Sequence, residues 1–277
     1  SWGVSGGSGT YNSFSQKVDD IMWDNKDLLI FFAAGNDGSE LNTVGYPGTA
    51  KNTITIGAVT SKKLEDADEI ASFSSRGPTD DGRIKPDLVA PGTSINSLNV
   101  GSGYKSNQGT SMANPLAAGV AALVRQNLVD NDKVSNPSAA LVKAFLINGA
   151  SIIPGDTYPS NNTGWGRINI SNTLLTPGDT YTKYVDEQTG LSTGNDLSYT
   201  YNVESGVELK ITLVWTDYRG STFASTELVN DLNLIVTSPS GVEYNGNDFI
   251  SPFNDTSDNI NNNSHFLRTV HCIRAIF

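Results

Sequence analysis

At 277 residues, with 37% hydrophobic, 17% charged and 9% aromatic residues, the chain is long enough to bury a full core and lies within soluble globular composition, which excludes wholesale disorder, collagen-like repeats and coiled coil. A net charge of -11 repels a phosphate backbone and so excludes a nucleic-acid partner. The longest apolar run, Leu28 to Ala34, falls far short of the roughly 20 residues that span a bilayer. One cysteine, Cys272, rules out an internal disulfide framework and any Cys-based zinc site, and two histidines, His265 and His271, leave little for metal or general-base chemistry.

In chain order, Ser1 to Ser8 is Gly/Ser-rich, with no basic or apolar signal region, which is read as a start lying further upstream. Phe14, Val18, Ile21 and Met22 recur at helical spacing over 14–25. Leu28 to Ala33 reads as a continuously apolar buried strand, the kind a parallel sheet covered on both faces contains. Thr53 to Val59, Ile70 to Ser75 and Leu88 to Ala90 are further strand candidates. Thr110 to Asn127 is an alanine-rich helix able to pack close to its neighbours, and Pro137 to Asn148 is a second helix, with Ser135 as cap and Gly149 as stop. Strands alternating with helices over this stretch predict an α/β domain.

After Thr176-Pro177 the helical period disappears, and strand candidates follow at 181–185, 197–203, 208–215 and 232–237. Leu209, Ile211, Leu213 and Trp215 form one apolar face against Lys210 and Thr212, as in a half-buried sandwich strand. Pro239-Ser240-Gly241 predicts a hairpin turn into 242–244. The expected organisation is an α/β domain over 1–176, an all-β sandwich over 177–264 and an atypical tail over 265–277. Four Asn-x-Ser/Thr triplets, at Asn161, Asn169, Asn254 and Asn262, together with the acidic charge, favour a secreted or extracytoplasmic location.

Ser111, in Gly109-Thr110-Ser111-Met112-Ala113, sits at a loop-to-helix junction where backbone N–H groups and the helix dipole favour negative charge. That position suits a nucleophile, and it equally suits Thr110 or Ser111 as a plain helix cap. Asn36 follows the buried strand, where its amide suits an oxyanion donor or a turn residue. Asp19, Asp20, Asp66 and Asp80 read as solvated carboxylates.

The strings AAGND at 33–37 and GTSMANP at 109–115, followed by Ala118-Gly119, resemble the subtilisin-like serine proteases. Other landmarks occur in that family's order: Ser1-Trp2-Gly3, Tyr46-Pro47, Phe73-Ser74-Ser75-Arg76-Gly77, Lys85-Pro86-Asp87 and Ala90-Pro91-Gly92. The resemblance covers about residues 1–175 and implies a subtilisin-like parallel sheet with flanking helices, followed by a jelly-roll-like sandwich. It implies Ser111 as nucleophile, with Asn36 and the Ser111 N–H as oxyanion donors. Ser1, Trp2, Gly3, Ala33, Ala34 and Gly35 are implied as the two edges of the substrate pocket. Asn114 departs from the small residue or threonine that the family places there.

The family's histidine and aspartate motifs do not occur in this sequence; their place in the family is upstream of the segment where the chain begins. The resemblance therefore implies a serine endopeptidase acting on peptides or proteins, incomplete and nearly inactive alone, with the missing N-terminal half as its partner. The alternative is a noncatalytic remnant that binds without cleaving; a sugar-binding module at 177–277 is a third reading. No cofactor is needed for acyl transfer. Asp217, Asn230, Asp231, Asn247 and Asp248 are oxygen donors of the kind a structural calcium ion takes, or else they end strands and cap turns.

Overall fold

The computed structural model describes residues 3–4, 6, 8–60, 69–174, 182–203 and 209–247, and the backbone of 265–270 and 275–276. Helix α1 (Ser13–Asp24) starts where the Asn12 side chain accepts the N–H groups of Phe14 at 3.0 Å and Ser15 at 3.3 Å. Strands β1 (Phe31–Ala33), β2 (Ile54–Val59) and β3 (Leu88–Pro91) form a parallel sheet in that order, with Phe31 opposite Ile54 and Ile56 opposite Leu88. β2 is buried along its whole length, as a central parallel strand covered on both faces must be. A small antiparallel hairpin, β4 (Ile95–Leu98) with β5 (Tyr104–Asn107), leads into α2 (Thr110–Asp130).

Helix α2 lies across all three strands. Its Ala113, Ala117, Ala121, Val124 and Leu128 pack with Ile54, Ile56, Leu88 and Ala90 into one buried cluster. Small side chains make that approach close: a β-carbon on Gly92 would stand 2.6 Å from the Ala58 methyl and 3.4 Å from that of Ala113. Helix α3 (Ala139–Asn148) is buried from Ala139 to Ile147. Its cap is Ser138, which accepts the Leu141 N–H at 3.1 Å, and not the expected Ser135; Gly149 ends it as expected. A short helix, α4 (Ile170–Thr173), follows.

The stretch 70–75 is not a strand. Beyond a bridge between Val59 and Ile70 it turns, because Ser74 donates its N–H to Ala71 O at 2.9 Å while its hydroxyl takes the Ala58 N–H that a neighbouring strand would have used. Among the described residues 182–203 no strand longer than a single bridge forms, although 197–203 alternates apolar and polar; Leu197, Tyr199, Tyr201 and Val203 are exposed. β6 (Leu209–Val214) does form, with β7 (Ile235–Thr237) and β8 (Glu243–Asn245) as the expected hairpin. β9 (His265–Val270) runs parallel to β6 and β10 (Ala275–Ile276) antiparallel to it.

The one-faced pattern expected of β6 is replaced by burial on both faces. Ile211, Thr212, Val214 and Trp215 are all buried, because α3 covers the strand and Asn148 Nδ2 donates to Thr212 Oγ1 at 3.0 Å. Val214 and Trp215 belong to the same buried cluster as the parallel sheet.

A polar buckle holds 217–230 to the rest. Lys51 Nζ, wholly buried, donates to Asp217 Oδ2 at 2.6 Å, Tyr218 O at 2.5 Å and Glu227 O at 2.7 Å. Asn52 pairs with the Asp217 backbone in both directions at 2.9 Å. Asp19, read from sequence as solvated, is fully buried beside them, accepting from Tyr11 Oη at 2.8 Å and from the Lys51 and Asn52 N–H groups. Its burial pushes its carboxyl up. Asp20 is instead in an exposed pair with Arg219, Asp80 accepts from Thr10 and Asn42, and Asp66 lies outside the described residues.

Breaking a buried pair by removing one partner leaves an uncompensated charge, so Asp217→Ala is expected to cost about 3–5 kcal/mol in urea unfolding. A cost below 1 kcal/mol would show the buckle to be incidental. Glu227 adds a pH dependence. Its side chain is 3% exposed, one carboxyl oxygen has no hydrogen-bond partner, and burial together with the Asp81 carboxylate pushes it up from 4.5 to about 6. A carboxyl with a raised folded value stabilises fully below its unfolded value and loses that contribution as pH rises through the folded one. The urea midpoint should therefore fall between pH 4.5 and 6.5 by more in the wild type than in Glu227→Gln; equal slopes would remove Glu227 from the account.

Candidate functional site

The carboxyl end of β1 and the start of α2 meet at one point. After Ala34, whose N–H donates to Ile56 O at 2.9 Å, the chain turns at Gly35 with a φ of +114°, a conformation closed to most residues with a side chain. Asn36 is thereby carried out of the sheet into an exposed position. On the other side, Gly109 donates its N–H to Gly92 O at 2.8 Å and, with a φ of +141°, occupies the cap position of α2 without a side chain to offer. Ser111 is the second residue of that helix and half-buried.

Thr110 joins the two. Its N–H donates to Asn36 Oδ1 at 2.9 Å, and its hydroxyl lies 3.1 Å from Asn36 Oδ1 and 3.1 Å from Gly35 O. The Gly35 N–H donates back to the Thr110 hydroxyl at 3.3 Å. A backbone N–H can only donate, so the side-chain atom facing it must be the amide oxygen, and the Asn36 NH₂ is turned away from Thr110. A β-carbon placed on Gly109 would stand 3.5 Å from Asn36 Oδ1, 3.7 Å from Asn36 Nδ2 and 3.7 Å from the Ser111 nitrogen. The structure thus brings Asn36 into contact with Thr110, the residue immediately before Ser111. The N–H groups of a first helical turn have no partner four residues back, and with the dipole they make this corner electropositive.

Of the predicted pocket edges, Ala33 and Ala34 are buried and Gly3 lies against Ala33, a β-carbon on it standing 3.6 Å from Ala33 O. Val4 donates to Tyr46 O at 3.2 Å and Gly45 to Ala34 O at 2.8 Å, so the segments at 3–4, 33–35 and 45–46 form one connected wall. Ser1 and Trp2 lie outside the described residues. Asn114, the departure from the family string, is 5% exposed within α2. Thr110 does not act as a side-chain cap; its hydroxyl is spent on Gly35 and Asn36, a role the sequence reading missed although the residue lay inside the motif.

The oxygen donors considered for calcium are differently engaged. Asp217 Oδ1 accepts from Asn230 N and Nδ2 at 2.9 Å, while Oδ2 accepts from Lys51 and, at 2.9 Å, from Val229 N, so this carboxylate is committed to ending a strand and anchoring a lysine. Those donors outweigh its burial and hold it below the usual carboxylate range. Asp248 lies outside the described residues. Among the described residues no group of three or more His, Cys, Asp and Glu is placed to hold a metal ion, and no helix is long and apolar enough to cross a membrane.

Comparison with known proteins identifies the family. The model of the subtilase family, peptidase S8, matches residues 1–166. The chain is 37% identical over 196 residues to the serine protease/ABC transporter B family protein tagA of Dictyostelium discoideum, covering 58% of this chain and 11% of that protein. It is 36% identical over 157 residues to the serine protease AprX of Bacillus subtilis, covering 46% of this chain and 36% of AprX. It therefore spans only a minor part of these relatives' length. The solved patellamide maturation protease PatA superposes with a TM-score of 0.51 at 25% identity, over 62% of this chain and 59% of that one. With the family model matched over more than half of this chain, and with Asn36 joined to the residue before Ser111 at the carboxyl end of a parallel sheet, the chain belongs to the subtilase family.

Proposed function

We propose that the chain is part of a serine endopeptidase that cleaves peptide or protein substrates through an acyl-enzyme on Ser111, with Asn36 and the Ser111 N–H stabilising the oxyanion. The observation that carries this reading is the Asn36 side chain, pinned by its oxygen to Thr110 so that its NH₂ is left to donate beside the Ser111 turn. A tetrahedral intermediate places negative charge on the former carbonyl oxygen, and a donor already in place stabilises it without reorganising at the moment of reaction. Ala33, Ala34, Gly35 and Gly3 are small, which leaves room for the substrate side chain before the scissile bond and suits a broad, apolar preference.

A serine hydroxyl needs a base, and in this reading the histidine and its orienting aspartate come from outside the described residues, whose one histidine, His265, is described by its backbone alone. Removing the histidine from a subtilisin costs roughly 10⁶ in turnover, a value that belongs to that family itself, so this chain alone is nearly inactive. We read 177–264 as a β domain that braces the protease module, and the protein as extracytoplasmic. A noncatalytic binding role is the second reading, favoured by that same lack of a base.

Intact-mass analysis with a fluorophosphonate probe tests the proposal. The expected result is slow labelling at one site, accelerated by added imidazole as an external base and abolished in Ser111→Ala. Asn36→Ala should slow it by about 10²- to 10³-fold, again a magnitude taken from subtilisins. Labelling unchanged in Ser111→Ala would overturn the assignment; peptide binding without any adduct, with or without imidazole, would establish the noncatalytic role. Thr110→Val keeps the N–H bond to Asn36 and removes the hydroxyl, and should slow labelling by roughly tenfold. Labelling at the wild-type rate would mean the backbone bond alone holds Asn36.

A further inference from the structure

Asn36 is gripped from a second direction, by a residue assigned no role above. Ser75 is fully buried in the turn that follows Ile70, and it reaches the peptide units on both sides of Asn36. Its N–H donates to Gly35 O at 3.0 Å, and its hydroxyl accepts the Asp37 N–H at 3.1 Å. One residue further, the Gly38 N–H donates to Phe73 O at 3.0 Å. The fit between the two segments is close: a β-carbon on Gly35 would come within 2.7 Å of Ser75 Oγ, and one on Gly38 within 2.0 Å of Ser74 O.

We propose that Ser75 is a positioning residue for the oxyanion donor, fixing the backbone before and after Asn36 so that the amide held by Thr110 points at the developing charge. This rests on the reading of Asn36 as that donor. Thr110 alone fixes one end of a side chain that still rotates with its own backbone. The Thr110 bonds set which face of the amide is presented, and the Ser75 bonds set where the Cα that carries it stands. Ser75 itself touches no reacting atom in this scheme, and so acts only through Asn36. The division of labour is visible in the contacts: Thr110 bonds residues 35 and 36, and Ser75 bonds residues 35 and 37.

The test uses two ligands on the chain as it stands, because a peptide boronic acid forms a tetrahedral anion on a serine oxygen while the same peptide ending in an amide does not. Ser75→Ala is expected to weaken the boronate by roughly tenfold, the effect of leaving one half-buried N–H without its acceptor, and to leave amide binding unchanged. In an Asn36→Ala background, which should itself weaken the boronate by about a hundredfold, Ser75→Ala should add nothing. A purely structural role would weaken both ligands alike and add its loss in the double variant, and that result overturns the proposal. Boronate affinity of Ser75→Ala equal to the wild type also overturns it. If the wild-type chain binds the amide peptide but gains nothing from the boronate, the underlying reading of Asn36 and Ser111 fails instead, and the Ser75 proposal with it. Ser75→Cys, which keeps the volume and weakens the acceptor, gives the same ordering where the alanine variant does not fold.

Discussion

The contact between the Asn36 side-chain oxygen and Thr110 links two segments 74 residues apart, and the chemistry proposed for the site depends on it. A free asparagine amide rotates, presenting oxygen or nitrogen to whatever approaches. Here the Thr110 N–H admits only an acceptor, so the oxygen is fixed inward and the NH₂ is left to face the site. A donor fixed before substrate arrives stabilises charge as it forms, which is why such groups weigh more inside a protein than in water. Everything else at the site serves to bring β1 and α2 to within reach of that one contact.

That approach is set by the sheet and by the cations buried at its opposite end. The parallel register places the carboxyl ends of β1, β2 and β3 side by side, and Gly92, immediately after β3, accepts the Gly109 N–H that delivers α2. Below, Asp87 is shared between Lys85 at 2.5 Å and Lys143 at 3.0 Å and also accepts the Thr55 N–H at 2.7 Å. Burial would raise the Asp87 carboxyl, but the Lys143 and Lys85 ammonium groups beside it hold it below the usual range, while burial brings Lys85 down to about 8. Two lysines around one carboxylate tie β2, β3 and α3 together where apolar packing alone would leave their relative shift free. Lys51 does the same for 217–230.

Legibility from sequence followed the kind of force at work. β2, β3 and α2 were readable because burial of apolar side chains leaves a period in the sequence, and Asn36 and Ser111 because two short strings fix their surroundings. α1 forms where that period predicts a helix, but the face it buries is Ser15, Asp19 and Met22, while Phe14 and Ile21 are exposed. Lys51, Asp19 and Asp217 were not readable as core, since a charged side chain gives the same signal whether it is solvated or paired in the interior. The pattern at 209–215 misled for a related reason: Thr212 is polar yet buried, made acceptable by Asn148 on a helix more than sixty residues away in sequence. The stretch at 197–203 alternates like a strand, but alternation creates only a candidate face, and among the described residues no neighbouring strand pairs with it. Ser75 was visible within a family string and still had no assignable role, because its work is done through contacts with 35 and 37 that spacing does not encode.

Stability and catalysis meet at the start of α2. A helix normally finds a capping oxygen in the residue just before it, but Gly109 has none, and its φ of +141° is one that a serine or aspartate would hold only under strain. Asn36 supplies that oxygen from the end of a distant strand by accepting the Thr110 N–H, so the bond that orients the proposed oxyanion donor is also the cap of the helix that carries Ser111. Pro115 reinforces the arrangement: having no N–H, it cannot bond the carbonyl of Ser111 four residues before it, and its ring crowds that carbonyl, which loosens the first turn from the rest of the helix. The turn that bears Ser111 is therefore held by Asn36, Gly35 and Gly92 as well as by its own helix. On the proposed function, loss of Asn36 removes an anion donor and a helix cap together, so only a ligand that forms no anion separates the two effects.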